Sequence, residues 1–129
     1  MQRFENLKAA CEERFGEDRV RQIAEDQMEI AVVNDAGEAM FPLYVGFHSE
    51  KDLELSAILF QVPEADAEAF MAQCSTLNAQ YPWVKFYLDD RYFCAGMDLL
   101  LYADDVEDEM SMITALLQVI CANLPGLLG

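Results

Sequence analysis

Histidine occurs once in this 129-residue chain, and 8 basic residues stand against 24 acidic ones. The shortage of cations leaves a net charge of −16, which repels phosphate backbones and anionic lipid head groups, so no nucleic-acid partner is expected. The cysteines, Cys11, Cys74, Cys94 and Cys121, lie far apart with no Cys-x-x-Cys pair. With His48 as the lone imidazole, that is too poor a ligand set for zinc, and each cysteine reads as a small apolar residue within an apolar segment. A phosphate-cradling glycine loop, a dinucleotide fingerprint and a nucleophile motif near His48 are all missing. Asp89/Asp90 and Asp104/Asp105 offer oxygen ligands without calcium-loop spacing, and they fall where turns and helix starts favour aspartate. We therefore expect no catalytic residue, no cofactor and no metal. Residues 1–13 mix Arg3, Glu5, Lys8, Glu12 and Glu13 among apolar positions and lack the uninterrupted apolar core of an export signal. Together with the absence of a disulfide pattern, this leads to the expectation of a reduced, cytoplasmic protein.

Charge is also missing locally. Residues 110–129 contain no charged side chain, which in so acidic a chain calls for burial against the protein's own sheet or against another chain. A membrane span is the other possibility. It is disfavoured by Ser111, Thr114, Gln118, Asn123 and Pro125 within the run and by the acidic residues crowding its entrance between Asp104 and Glu109. What is present is a hydrophobic content of 53% with 11% aromatics, ample for a folded core beneath an acidic skin. The length suits one domain, spanning 1–129.

Along the chain, Phe4, Leu7, Cys11 and Phe15 recur at helical spacing, and Gly16 is a stop. A short second helical piece is expected around Val20 and Ile23. Residues 28–33 are β-prone, Asn34-Asp35-Ala36-Gly37 reads as a hairpin turn, and strands over 38–48 and 53–62 complete a meander. Pro42 suggests an edge or bulge position, because it donates nothing to a ladder. Pro63 opens a helix with Ala67, Phe70, Met71, Cys74 and Leu77 on one face, and Asn78 is expected to tie its end to neighbouring backbone. Val84, Phe86 and Leu88 then alternate with Trp83, Lys85 and Tyr87. Asp89-Asp90-Arg91 turns the chain, and 92–102 forms a strand with Phe93, Ala95, Met97, Leu99 and Leu101 on one face. The last helix begins near Asp104 or Asp105, and Asp104 with Glu107 has capping-box spacing. The fold class is thus α+β, in the order α-β-β-β-α-β-β-α, with helices packed on an antiparallel sheet.

In the last helix Val106, Met110, Ile113, Leu117, Ile120 and Leu124 form one apolar stripe, and Met112, Leu116 and Val119 form a second beside it. One face on a sheet does not bury both. The second stripe is covered either by the first helix or a loop, or by another chain in a dimer or client contact. Trp83 and Tyr87, on one strand face, are either aromatic anchors of the kind that supply affinity at interfaces or are buried under a helix. The candidate partner or dimer surface is therefore Trp83, Tyr87, Met112, Leu116 and Val119.

Leu77-Asn78 at the end of the central helix, the hairpin from Lys85-Phe86-Tyr87-Leu88-Asp89-Asp90 to Asp98-Leu99-Leu100-Leu101, and the acidic start of the last helix carry a resemblance over nearly the whole chain. They resemble the YbjN-like family of bacterial sensory-transduction regulators, whose fold is shared with class I type III secretion chaperones. The resemblance implies an α+β domain with an acidic surface, frequent dimerisation, protein partners and no catalytic residues to carry over. The expected function is a noncatalytic protein-binding domain of chaperone or regulatory type, a homodimer, acting through apolar patches and strand edges. The alternative is a small-molecule sensor or unusual enzyme with a pocket between sheet and helices.

Overall fold

The computed structural model describes residues 1–101 and 105–129. Its first helix, α1, runs over Gln2–Phe15 and buries Phe4, Leu7 and Cys11, the stripe expected from their spacing. Gly16 ends it at φ 104, where its N–H reaches the Glu12 carbonyl at 2.9 Å. That left-handed φ angle is one a side chain resists.

Where a short helix was expected, only a single 3-10 turn forms, over Glu17–Arg19, and Val20–Ala24 is a strand, β1. The three-residue spacing of Val20 and Ile23 fits one helical turn. The neighbouring strand β2, Gln27–Val33, instead offers an open edge, and Val20 pairs with Ile30 while Arg21 pairs with Glu29. Both candidates are β-branched, so pairing prevails over an isolated helical turn that has little to nucleate it.

β3 spans Ala39–Ser49 and β4 spans Asp52–Gln61. The turn into β3 forms as the sequence implies: Asn34 Oδ1 accepts from the N–H groups of Ala36 and Glu38, both at 2.9 Å, and Gly37 takes φ 80. Pro42 is not on an edge strand, because β3 lies inside the sheet between β2 and β4. It is tolerated there because it sits opposite Ala31 of β2, just beyond Leu43, where pairing with β4 begins. A 3-10 turn over Glu64–Asp66 leads into α2, Ala67–Gln80, which buries Cys74 and Leu77 and leaves Met71 exposed. β5, Lys85–Asp89, and β6, Tyr92–Leu100, form the closing hairpin, and α3 runs over Val106–Leu128. The expected order therefore holds with β1 added. Asp105 caps α3, its carboxylate accepting from the N–H groups of Glu107 at 3.0 Å and Asp108 at 3.4 Å. Tyr102 and Asp104, expected as strand end and cap, lie outside the described residues.

The strands form one antiparallel sheet in the order β1-β2-β3-β4-β6-β5. One face carries Met28, Ile30, Leu43, Val45, Leu53, Leu55, Phe86, Phe93 and Ala95 into a single core with Phe4, Leu7, Cys74, Leu77, Ile113 and Ile120 from the helices. A register shift in β4 between Ile58 and Phe60 breaks the alternation there. It sets Phe60 opposite Phe93, with the two rings stacked at 5.1 Å and Phe70 of α2 edge-on to both. Charge also enters this interior. Glu109 of α3 is 1% exposed, with Arg3 Nε of α1 at 3.6 Å from its Oε2. Arg3 Nη1 donates to the Glu50 carbonyl at 2.7 Å, so one guanidinium links α1, α3 and the β3–β4 turn.

The β5–β6 turn has no glycine although Asp90 and Arg91 stand at φ 44 and 72. Positive φ at both central residues defines the turn that favours Asp-Gly. Arg91→Gly is therefore expected to stabilise the fold by about 0.5–1 kcal/mol, the relief of left-handed strain exceeding the added chain entropy. Urea denaturation reads this as a higher midpoint at unchanged slope. Glu109→Gln, which leaves the Arg3 charge beside a neutral partner, is expected to cost about 3–5 kcal/mol. The double variant Arg3→Met/Glu109→Leu should cost less. A Glu109→Gln variant as stable as the parent in the same denaturation would show that the ion pair does not hold α1 to α3.

Candidate interaction surfaces

α3 determines which apolar residues are left for other molecules. Its buried stripe is Glu109, Ile113, Leu116, Val119, Ile120, Leu124 and Leu127, taken partly from each of the two stripes seen in the sequence. Leu116, with no exposed surface, and Val119, at 9%, are interior residues and not parts of a surface. This corrects their place among the candidate contact residues. The helix lies against both α1 and β6, so the wedge it buries is broader than a single line of contact and is centred between the expected stripes. Met112, from the second stripe, remains 41% exposed, and Leu117, from the principal one, is only half-buried.

Beyond its first turn, where Glu107 and Asp108 are exposed, the rest of the helix faces outward without charge. Ser111, Met112, Gln118, Cys121, Ala122, Pro125 and Leu128 are exposed, and only 28% of its most apolar stretch is buried. The helix is long and apolar enough to cross a membrane, yet its buried stripe belongs to the core shared with the sheet. Beside this face a cleft of about 610 Å³ runs between α1 and α3, lined by Ala10, Glu13 and Arg14 on one side and Met110, Ser111, Thr114, Ala115 and Gln118 on the other. Phe15, Leu117 and Cys121 continue it. Cys121 is exposed, whereas burial pushes the Cys11 thiol up to about 12 and that of Cys94 up to about 11, keeping both protonated.

The two aromatic candidates lie elsewhere. Trp83 is 47% exposed in the turn before β5, not in the strand, and Tyr87 is half-buried on the face of the sheet turned away from the core, with Lys85 Nζ 5.2 Å from its ring centre. Met112 and Tyr87 are thus separated by the sheet and do not form one surface. Asn78 does what was expected of it. Its amide donates to the Phe86 carbonyl at 2.9 Å and accepts from the Phe86 N–H at 2.6 Å, closing the free edge of β5.

The outer sheet face is polar and open. Its rows run Gln27, Gly46, Glu54, Asp98 and, next to them, Glu29, Tyr44, Ser56, Gly96, Lys85. Each glycine leaves a gap between taller side chains. A hollow of about 190 Å³ surrounds Gly46, rimmed by Ile23, Gln27, Tyr44, His48, Glu54 and Ser56. A second, of about 240 Å³, lies over Gly96 and shares Glu54 and Ser56. His48 Nε2 lies 2.6 Å from Glu54 Oε2, and this hydrogen bond and charge, joined by Asp52 and Asp98, raise the imidazole above its ordinary value of 6.5. Sequence reasoning placed His48 at a strand end but missed Glu54 as its partner, which only the β3–β4 register brings near.

The geometry defines a small α+β domain built of surfaces, with an uncharged helix face on one side of the sheet and an acidic, glycine-floored face on the other. The chain belongs to the YbjN family, described as a putative bacterial sensory transduction regulator, whose sequence model matches residues 5–118. No curated protein matches it.

His48 provides a direct check of the outer-face geometry. A raised folded pKa means that its contribution to stability is complete below pH 6.5 and disappears as pH rises through the higher folded value. An NMR titration should show His48 titrating above 6.5 and moving back toward it in Glu54→Gln. An imidazole at its ordinary value in both proteins would rule out the contact.

Proposed function

We propose that the protein is a noncatalytic protein-binding domain of regulatory or chaperone type, acting in the cytoplasm as a homodimer that presents its surfaces to a protein client. Membership of a regulatory family supports the class. The observation that carries the reading is the outward face of α3 from Met110 onward, bare of charge on a body of charge −16. Two copies meeting there beyond the first turn of α3 bury Met112, Ala122 and Leu128, and the carboxylate of the adjoining cleft, Glu13, has Arg14 beside it. Elsewhere the like charges of the copies repel, and physiological salt screens that repulsion over about 8 Å. A sensor or enzyme with a pocket between sheet and helices draws less support, since the hollows described above lie on the outer sheet face and between α1 and α3.

The test is solution mass by light scattering. The parent protein should be a dimer that tightens as salt rises, and Met112→Glu or Ala122→Glu should shift it to monomer with an unchanged circular dichroism spectrum. A dimer indifferent to both substitutions, or a monomeric parent, would refute assembly through α3. Copurification of one defined polypeptide that these variants still retain would place the client elsewhere on the domain.

A further inference from the structure

The hollow at Gly46 has a built shape. Tyr44 and His48 stand two residues to either side on the same strand face, about 13 Å apart along β3 by strand geometry. Glu54 stands opposite on β4 and Gln27 opposite on β2, so the gap is walled on its sides as well as its ends. The glycine is not there to relieve the backbone. Its φ is ordinary, and an added Cβ would meet only the flexible Gln27 chain, with Cγ at 3.0 Å. Gly96 differs, since a Cβ there would meet the Leu55 carbonyl at 2.7 Å, and packing alone accounts for it. One row away the same sheet face already holds a guanidinium. Arg21 Nη2 lies 2.7 Å from Glu29 Oε2, and burial together with the neighbouring Glu29 raises the Tyr44 phenol above its ordinary value. At Gly46 the equivalent parts are present, a carboxylate and a tyrosine beside an empty floor, and among the described residues His48 is the group that engages the carboxylate.

We propose that the Gly46 hollow receives an arginine side chain from a partner polypeptide, its guanidinium pairing with Glu54 and lying against Tyr44. A planar fork matches a carboxylate bidentately and stacks on an aromatic face, which an ammonium does not. The surrounding charge suits a cation: Asp52 on β4 and Asp98 on β6 face the same region, and two basic groups of this sheet face, Arg21 and Lys85, are engaged with Glu29 and the Tyr87 ring. His48 is then a built-in competitor. Protonated, it holds Glu54; neutral, it holds the carboxylate less strongly, so arginine binding strengthens as pH rises through the imidazole's raised value.

This proposal rests on the protein-binding reading only in that its occupant is a polypeptide, and its surface lies across the sheet from α3. The test is a titration of ¹⁵N-labelled protein with the acetylated peptide Ser-Gly-Arg-Gly-Ser and with its citrulline counterpart, which keeps the shape and loses the charge. Shifts confined to residues near 44–48 and 54, at least fivefold weaker for citrulline, are expected. Gly46→Val fills the hollow without changing charge and should abolish them. Glu54→Gln should weaken them at least fivefold, and Glu68→Gln, an exposed carboxylate on α2, should not. If Gly46→Val fails to fold, Glu54→Gln against Glu68→Gln still decides. Shifts spread over the whole acidic surface, or equal binding by the two glutamate variants, would overturn the proposal. Light scattering on the same samples reads the dimer separately, so loss of one interaction is distinguishable from loss of the other.

Discussion

Everything in this domain depends on how α3 is wedged. The helix packs against β6 and α1, filling the space over the sheet with Ile113, Leu116, Ile120 and Leu124. Burying side chains of this kind contributes about 1.5–3 kcal/mol each, so the helix is a principal source of cohesion. The Arg3–Glu109 pair then orients it, because a buried carboxylate is tolerable only where a cation meets it. A helix apolar around most of its circumference has more such surface than one wedge can hide. The excess is the exposed, uncharged face, a consequence of the same packing that stabilises the fold.

The sheet distributes its surface in a related way. Alternation commits one face to the core and leaves the other to water, while the edges offer little for strand addition. Asn78 satisfies the backbone of Phe86 on β5. β1 is short, has a register shift between Gln22 and Ala24, and the Gln22 amide bonds the carbonyls of Ala24 and Glu25. Such devices discourage edge pairing. The surfaces left open are therefore the faces: an apolar one at α3 and an acidic, glycine-floored one on the outer sheet.

Much of this was legible beforehand where a local rule had one answer. The helical spacing of Phe4, Leu7 and Cys11, the Asn34–Gly37 turn and the tie made by Asn78 each follow from interactions within a few residues or one adjacent element. The errors share a cause. Val20 and Ile23 became a strand because β2 had an edge to offer, and Pro42 sits inside the sheet because the β3–β4 ladder stops beside it. Phe60, to which the sequence pattern assigned no face, turns toward Phe93 through a register shift of the same long-range kind. Each depends on a neighbour distant in sequence.

The candidate surface divides along the same line. That α3 would carry more apolar surface than one contact could bury was determined by composition and the 3.6-residue period alone. Which residues would be hidden was decided by α1, since the buried wedge is set where two neighbours approach the helix and not by the helix's own pattern. Leu116 and Val119 went inside and Met112 stayed out. The sequence by itself determined an acidic α+β domain with a charge-free end, because charge, length and periodicity are properties of the chain. Only the tertiary structure set Glu54 beside His48 and Gly46 and put Tyr87 and Met112 on opposite sides of the sheet, because register and packing arise between segments that do not meet until the chain has folded.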